Sequence, residues 1–204
     1  MRSILSTYRL AVLLTVLCAL ALAPGAVDAQ EQQPPQPQQR VKAPEATRIE
    51  VQSIAAKPED VATLDGIMKA FYEVVSGPAG QPRQWARDRT LYIQGMRFVA
   101  TGVRKGESKP YANIMDHQTF VDQSNGFMVR DGFYEREIHR VTRRFGNIAH
   151  IFSTYETRQK PDGPVTSRGV NSLELYYDGT RWWIASAVWD GERADNPIPK
   201  ELLP

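Results

Sequence analysis

The sequence predicts an α+β protein in which N-terminal helices pack on one face of a curved antiparallel sheet of four to six strands. Two observations lead to this prediction. Apolar residues recur at helical spacing between residues 58 and 75, whereas residues 133–189 form runs of aromatic and β-branched residues separated by turns. Helices followed by a series of hairpins indicate that the helices cover one side of the sheet.

The first predicted helix begins at Pro58, because proline lacks the amide hydrogen that a helix N-terminus leaves unpaired. Glu59 and Asp60 follow, and their charges suit the positive end of the helix dipole. Residues 76–78, Ser-Gly-Pro, end the helix. The apolar residues at helical spacing are Val61, Leu64, Ile67, Met68, Phe71 and Val75.

Two shorter helices are predicted before the main run of strands. One carries Trp85 and leads into a strand at residues 91–93. The other begins after Asp116, whose carboxylate can accept a hydrogen bond from a free amide of the first turn. It ends at residues 125–126, Asn-Gly, a pair typical of turns.

A four-strand antiparallel meander is predicted in the C-terminal half. Residues 143–146 form the loop of the first hairpin, so that Thr142 pairs with Asn147 and His139 lies opposite His150. The four predicted strands are residues 133–141, 147–158, 168–177 and 181–189.

The N-terminal residues 1–29 have the pattern of a signal peptide. Arg2 and Arg9 provide positive charge, residues 10–23 form an apolar stretch too short to span a bilayer, and small residues precede a cleavage site after Ala29. An uncleaved anchor is the alternative. We therefore expect an exported protein, either periplasmic or secreted. A Gln/Pro-rich disordered linker (30–57), the folded domain (58–193) and a C-terminal tail (194–204) follow.

Composition excludes several classes of protein. The formal net charge is only +2 over 204 residues, and no long basic segment is present, so the sequence gives no sign of nucleic-acid binding. Cys18, the single cysteine, lies in the predicted signal peptide, so no disulfide is expected. No stable membrane insertion is expected after cleavage. No phosphate-binding loop, metal motif or other cofactor motif was found, so we predict no cofactor.

The order of elements resembles that of the NTF2-like superfamily, in particular its SnoaL-like branch. The resemblance covers residues 58–193 and rests on the long first helix, the Trp85 segment leading to a strand, and the final hairpin, Asp178-Gly179-Thr180-Arg181-Trp182-Trp183-Ile184 with Trp189-Asp190. It implies a cone-shaped domain that encloses a pocket, and frequent dimers through the outer sheet face. The family contains isomerases, dehydratases, hydrolases and binding modules, so the fold does not select a function.

The last strand predicts a homodimer independently. Strict alternation puts Trp182 and Ile184 on one face and Trp183 and Trp189 on the other, so both faces are largely apolar. One face of a monomeric sheet should be solvated, so we expect a partner subunit on the outer face. Coverage by the N-terminal segment is the alternative.

The predicted pocket takes its residues from the faces of the strands that the resemblance makes concave. Its members combine hydroxyl groups with one expected Arg–Asp ion pair, and its ligand is expected to be a small hydrophobic or amphipathic molecule. A purely structural role for these residues is the alternative. The predicted lining residues are Tyr134, Arg136, Ser153, Tyr155, Asn171 and Asp190.

The function predicted from these features is binding of a small, largely apolar ligand or a partner in the cone. The alternative is a cofactor-free isomerase, dehydratase or hydrolase that transfers a proton with Asp190, Arg136, Tyr155 or His117. Metal binding by His139 and His150 is not favoured, because a cross-strand pair supplies two ligands where zinc needs three or four. The sequence does not identify a catalytic residue.

Overall fold

The computed structural model describes residues 48–204. The predicted signal peptide and the first part of the predicted linker lie outside the described residues. The elements are α1 (Pro58–Val61), α2 (Leu64–Glu73), α3 (Trp85–Arg89), β1 (Tyr92–Val103), β2 (Pro110–Met115), α4 (His117–Asp131), β3 (Tyr134–Phe145), β4 (Ile148–Arg158), β5 (Ser167–Tyr177), β6 (Trp182–Gly191) and a short 3₁₀-helix (Lys200–Leu202).

The six strands form one open, curved sheet in the order β2-β1-β6-β5-β4-β3. Strands β3 to β6 form the predicted antiparallel meander, and β1 pairs with β6 in parallel. Helix α2 packs against the sheet, with Ile67 and Met68 completely buried in the core. The predicted α+β fold is therefore confirmed. Within the described residues, no helix is long and apolar enough to cross a membrane.

The predicted first helix is two helices. Thr63 has extended backbone angles, and its side-chain oxygen accepts a hydrogen bond from the Gly66 amide, so Thr63 is the N-cap of α2. Helix α4 is longer than predicted. It continues through Gly126 to Asp131 and ends where Gly132 adopts a positive φ of 76°.

Strand β2 was not predicted, and β1 is much longer than the predicted strand at residues 91–93. Gly95 has a positive φ of 79°, and the pairing of β1 with β6 is irregular between Tyr92 and Arg97. This bulge interrupts the alternation of side chains that identifies a strand in a sequence.

The predicted register of the first hairpin is wrong. Its loop is shorter than expected, because Phe145 pairs with Ile148 and β3 continues past residue 141. The same change places His139 opposite Thr154 and not opposite His150, and an extra residue at Ile138 shifts the pairing of Glu137 and the residues before it. One extra residue in a strand moves the following side chains to the other face.

A second bulge changes the faces of β6. Ile184 pairs with Leu175, whereas Ser186 pairs with Glu174, so Ala185 is the extra residue. Trp182 and Ile184 are buried before the bulge, and Ala187 is buried after it. Strict alternation therefore assigns Ala187 and Val188, which follow the bulge, to the wrong faces.

Both termini of the described chain contact the domain. Val51 is only 8% exposed, its carbonyl accepts a hydrogen bond from Arg89, and the Ile49 amide donates to Asp122. The folded part therefore begins before residue 58, where the predicted linker ended. In the predicted tail, the Leu202 carbonyl accepts a hydrogen bond from Thr154 of β4.

Candidate ligand-binding cavity

A cavity of about 360 Å³ lies between the inner face of the sheet and helices α2 and α4. Of the nineteen described residues that line it, eight are aromatic, four are other apolar residues and seven have polar or charged side chains. The eight aromatic lining residues are Phe71, Tyr92, Phe98, Phe120, Phe127, Phe133, Tyr155 and Trp189.

Several of these rings pack against one another. Phe98 and Phe120 stack with ring centroids 4.4 Å apart, and Trp189 meets both rings edge-on at 6.3 and 6.2 Å. Such contacts hold the rings in defined orientations. The wall formed by β1, β6 and α4 is therefore ordered before any ligand arrives.

Glu135 contributes the only acidic side chain among the described residues that line this cavity. Its position is fixed by α2, since its backbone amide donates to the Ser76 hydroxyl at 3.0 Å. The Glu135 carboxylate has no hydrogen-bond partner and no ion-pair partner in the described part of the chain. Loss of hydration raises the pKa of this carboxyl to about 8.

Tyr155 lies near Glu135, and its hydroxyl likewise has no hydrogen-bond partner among residues 48–204. Tyr155 lies opposite Gly169 on β5 and occupies the space that a side chain at residue 169 would need. A Cβ atom at Gly169 would be 2.4 Å from the Tyr155 hydroxyl. Burial, followed by the negative charge of Glu135, raises the pKa of Tyr155, so the phenol stays protonated at neutral pH.

A chain of hydrogen bonds lies behind the cavity. The Asn171 amide donates to the Tyr72 hydroxyl at 3.2 Å, and Ser153 donates to Glu137 at 3.0 Å. The Tyr72 and Ser153 hydroxyl oxygens are 2.6 Å apart. Because the Ser153 proton is directed to Glu137, the Tyr72 hydroxyl must be the donor to Ser153. This chain fixes the position of Asn171 in the cavity wall.

Of the six predicted lining residues, Tyr155 and Asn171 line the cavity. Ser153 lies behind it. Tyr134 and Arg136 instead line an adjoining charged groove of about 460 Å³ next to α2, and Glu135 lines both the groove and the cavity. The extra residue at Ile138 explains the error on β3, because it places Glu135 opposite Thr157, on the face of β4 that carries Tyr155, and turns Arg136 outward.

The predicted Arg–Asp pair is also corrected. Arg136 lies 2.7 Å from Glu156 of the adjacent strand. Asp190 lies 2.7 Å from Arg193 and is not a lining residue of the cavity. Arg136 is therefore paired with a residue of the neighbouring strand, and Asp190 with a residue close to it in the chain.

The histidines lie away from the cavity. His117 Nε2 is 2.9 Å from the fully buried Asp88, which also accepts a hydrogen bond from Tyr92. His117 and Tyr92 line a second pocket, of about 640 Å³. His150 lies 3.0 Å from the Ser172 hydroxyl. Among the described residues, no three His, Cys, Asp or Glu side chains are placed to hold a metal ion.

Sequence analysis missed Glu135 as a candidate site residue. The wrong register put it on the outer face of β3. The one feature of the sequence that could have indicated Glu135 is its position, because it is an acidic residue directly after Phe133 and Tyr134 in a strand. That signal could not separate a cavity residue from a solvent-exposed one.

Comparisons with known proteins give matches only among solved structures. No protein-family model and no curated protein matches the chain. A protein of unknown function with a cystatin-like fold from Nostoc punctiforme matches with a TM-score of 0.46 and 8% identity, over 62% of this chain and 86% of that one. An NTF2-like protein of unknown function from Silicibacter pomeroyi gives 0.41 and 14%, over 64% and 94%.

The beta subunit of the benzoate 1,2-dioxygenase from Burkholderia mallei gives a TM-score of 0.41 and 12% identity, over 69% of this chain and 97% of that one. All three TM-scores are below 0.5, so we take neither a family nor an activity from these matches.

Proposed function

We propose that the protein binds a small, largely apolar molecule in the aromatic cavity. The observation that carries this proposal is the combination of an aromatic wall with two polar groups, the Glu135 carboxyl and the Tyr155 hydroxyl, that have no partner in the described residues. Both residues line the cavity, so these two groups are accessible to a ligand. A ligand with one polar group would provide the missing partner, and its apolar body would fill the rest of the cavity.

Filling the cavity tests this proposal. Ala100 lines the cavity, and Ala112 is an exposed residue of the neighbouring strand. We expect Ala100→Phe to weaken binding of the neutral fluorescent probe N-phenyl-1-naphthylamine by about tenfold or more, because the new ring occupies the ligand's space. Ala112→Phe is the matched control and should bind as the wild type does.

Fluorescence titration measures both affinities, and circular dichroism checks that both variants fold. Native mass spectrometry of protein purified from its own host would identify a ligand that stays bound. Absence of saturable probe binding by the wild type, or equal affinities of the two alanine variants, would contradict the proposal.

A second candidate function is proton transfer by a cofactor-free isomerase, dehydratase or hydrolase. The pKa of Glu135 favours it, because a carboxyl that titrates near neutral pH can both accept and donate a proton. Of the candidates named from the sequence, only Tyr155 lines the cavity. Solvent-deuterium exchange into a cyclic ketone, present in the wild type and lost in Glu135→Gln, would favour this second function.

We also propose a homodimer through the outer sheet face. A row of six side chains crosses all strands on this face, each paired with the next across the sheet, and five of the six are apolar. A surface of this kind favours association. The row consists of Val141, Phe152, Ser172, Val188, Val99 and Ile114.

Export and membership of the SnoaL-like branch remain proposals based on the sequence. Export is supported by the signal-peptide pattern of residues 1–29, and the mass of the mature protein tests it, because cleavage after Ala29 fixes the new N-terminus. The SnoaL-like assignment is supported by the Asp178-Gly179 turn followed by Trp182 and Ile184.

A further inference from the structure

We propose that the ligand of the aromatic cavity is an organic cation, with an amine or quaternary ammonium group on an apolar body. This inference rests on the proposed binding function and names its ligand class. It is based on the aromatic wall and on the unpaired Glu135 carboxyl.

Aromatic rings favour a cation because their faces carry negative electrostatic potential. Eight aromatic side chains line a cavity of about 360 Å³, a volume suited to one small molecule. An apolar ligand would also fit such a wall. The acidic side chain of Glu135 is therefore the feature that favours a cation over a neutral apolar ligand.

The charged groups around Glu135 are already paired with one another. In the adjoining groove, Lys69 pairs with Glu73, Arg136 and Arg158 both pair with Glu156, and Glu137 pairs with Arg140. The titratable groups on the other side are the tyrosine hydroxyls of α2, β1 and β4, none of which carries a positive charge. Within residues 48–204, Glu135 is thus left without a cation. The tyrosines are Tyr72, Tyr92 and Tyr155.

A ligand cation would supply this missing partner. An ionised carboxylate in an apolar site is unstable unless a positive charge or several hydrogen bonds compensate for the lost water. A cation at Glu135 would interact with the carboxylate and with the aromatic faces together. A neutral ligand would gain only the apolar contacts and one hydrogen bond.

Two probes of the same shape separate these alternatives. Benzyltrimethylammonium carries a permanent charge, and neopentylbenzene replaces its nitrogen by carbon. We expect the full-length protein at pH 8.5 to bind the cation at least about tenfold more tightly in isothermal titration calorimetry. Equal binding of the two probes would overturn the inference and leave the proposed function intact, whereas failure of both probes to bind would contradict the proposed function itself.

A matched pair of variants tests whether the preference for the cationic probe depends on Glu135. Glu135→Gln keeps the shape of the side chain and removes its charge, so the preference for the cation should disappear while affinity for neopentylbenzene is kept. Glu73→Gln removes a carboxylate from the adjoining groove and should leave the preference unchanged. A cation preference that survives Glu135→Gln would overturn the inference.

Proton release gives a readout that does not depend on a variant. Glu135 is largely protonated below pH 8, so binding of benzyltrimethylammonium must expel that proton. The affinity should then fall by about tenfold for each pH unit below 8. At pH 7 the binding heat should differ between buffers of different ionisation enthalpy. The same binding heat in all buffers would overturn the inference even if Glu135→Gln does not fold.

Discussion

The protonated and the ionised forms of the Glu135 carboxyl need different surroundings. Its backbone is tied to Ser76 of the α2 terminus, and its side chain is directed into an aromatic cavity. The protonated form is stable in that position without a partner, whereas the ionised form needs one. We therefore expect stability and the proposed binding of a cation to depend on pH in opposite directions.

The effect of Glu135 on stability can be predicted with its sign. The pKa of the carboxyl is raised from 4.5 to about 8 on folding, so between these values the native state holds a proton that the unfolded state has lost. The stabilising contribution is thus complete below pH 4.5 and is lost as the pH rises to 8. We expect the free energy of unfolding of the wild type to fall relative to that of Glu135→Gln by up to roughly 1 kcal/mol per pH unit in this range.

Urea unfolding at pH 5, 7 and 8.5 measures this difference. Glu174→Gln is a suitable control, because Glu174 is exposed on the outer face of β5 and its removal should cause no comparable trend. Parallel pH profiles of the wild type and Glu135→Gln would show that the carboxyl ionises without cost.

Sequence analysis found Tyr155 and Asn171 but not Glu135, and the reason lies in β3 and β4. The face of β4 is marked by Ala149 and Ile151, which are buried, so the inward direction of Tyr155 follows from alternation. Strand β3 has no comparable apolar row. Its face depends on the hairpin loop and on the bulge at Ile138, which local sequence patterns do not specify.

At the scale of elements, strands β3 to β6 and the three helical segments were predictable because their periodicity is strong and their turns are clear. Thr63 divided the first helix, and Gly95 concealed the length of β1. Both are local hydrogen-bond or backbone effects within an otherwise regular pattern. The sequence therefore predicted the kind and order of most elements better than their lengths or faces.

A pair of glycine substitutions tests the packing of β5 against β4. A Cβ atom at Gly169 would lie 2.4 Å from the Tyr155 hydroxyl and 2.6 Å from the Asp190 carbonyl oxygen. We expect Gly169→Ala to destabilise the protein by about 1–3 kcal/mol, because the backbone oxygen cannot move aside without disturbing β6. Thermal and urea unfolding provide the measurement.

Gly126 is the matched control, since it lies inside helix α4 with nothing within 4 Å of its added Cβ. Gly126→Ala should stabilise the protein by about 0.5–1 kcal/mol, because alanine has the higher helix propensity. Similar effects of the two substitutions would mean that the close approach at Gly169 is not real.

At the scale of the whole molecule, the proposed dimer interface is the outer face of the sheet. Val188 lies near the middle of the apolar row and is 37% exposed. We expect Val188→Glu to convert a dimer to a folded monomer, because two carboxylates would be brought into an apolar interface. Size-exclusion chromatography with light scattering at micromolar concentration measures the mass.

Val165 is an equally exposed valine, at 41%, but it lies outside the strands in the loop between β4 and β5. Val165→Glu should leave the mass unchanged. A monomeric wild type would contradict the proposed interface, and dissociation by both substitutions would place the interface elsewhere.

The position of β3 at the end of the strand order has a consequence for solubility. An edge strand of twelve residues exposes unpaired backbone groups that could recruit further chains into a growing sheet. The extra residue at Ile138 distorts that edge, and its four arginines outnumber its two glutamates, which leaves a net positive charge on the strand. Two edges of like charge repel each other, so we expect the strand that carries Glu135 to the cavity to oppose fibril-like assembly as well.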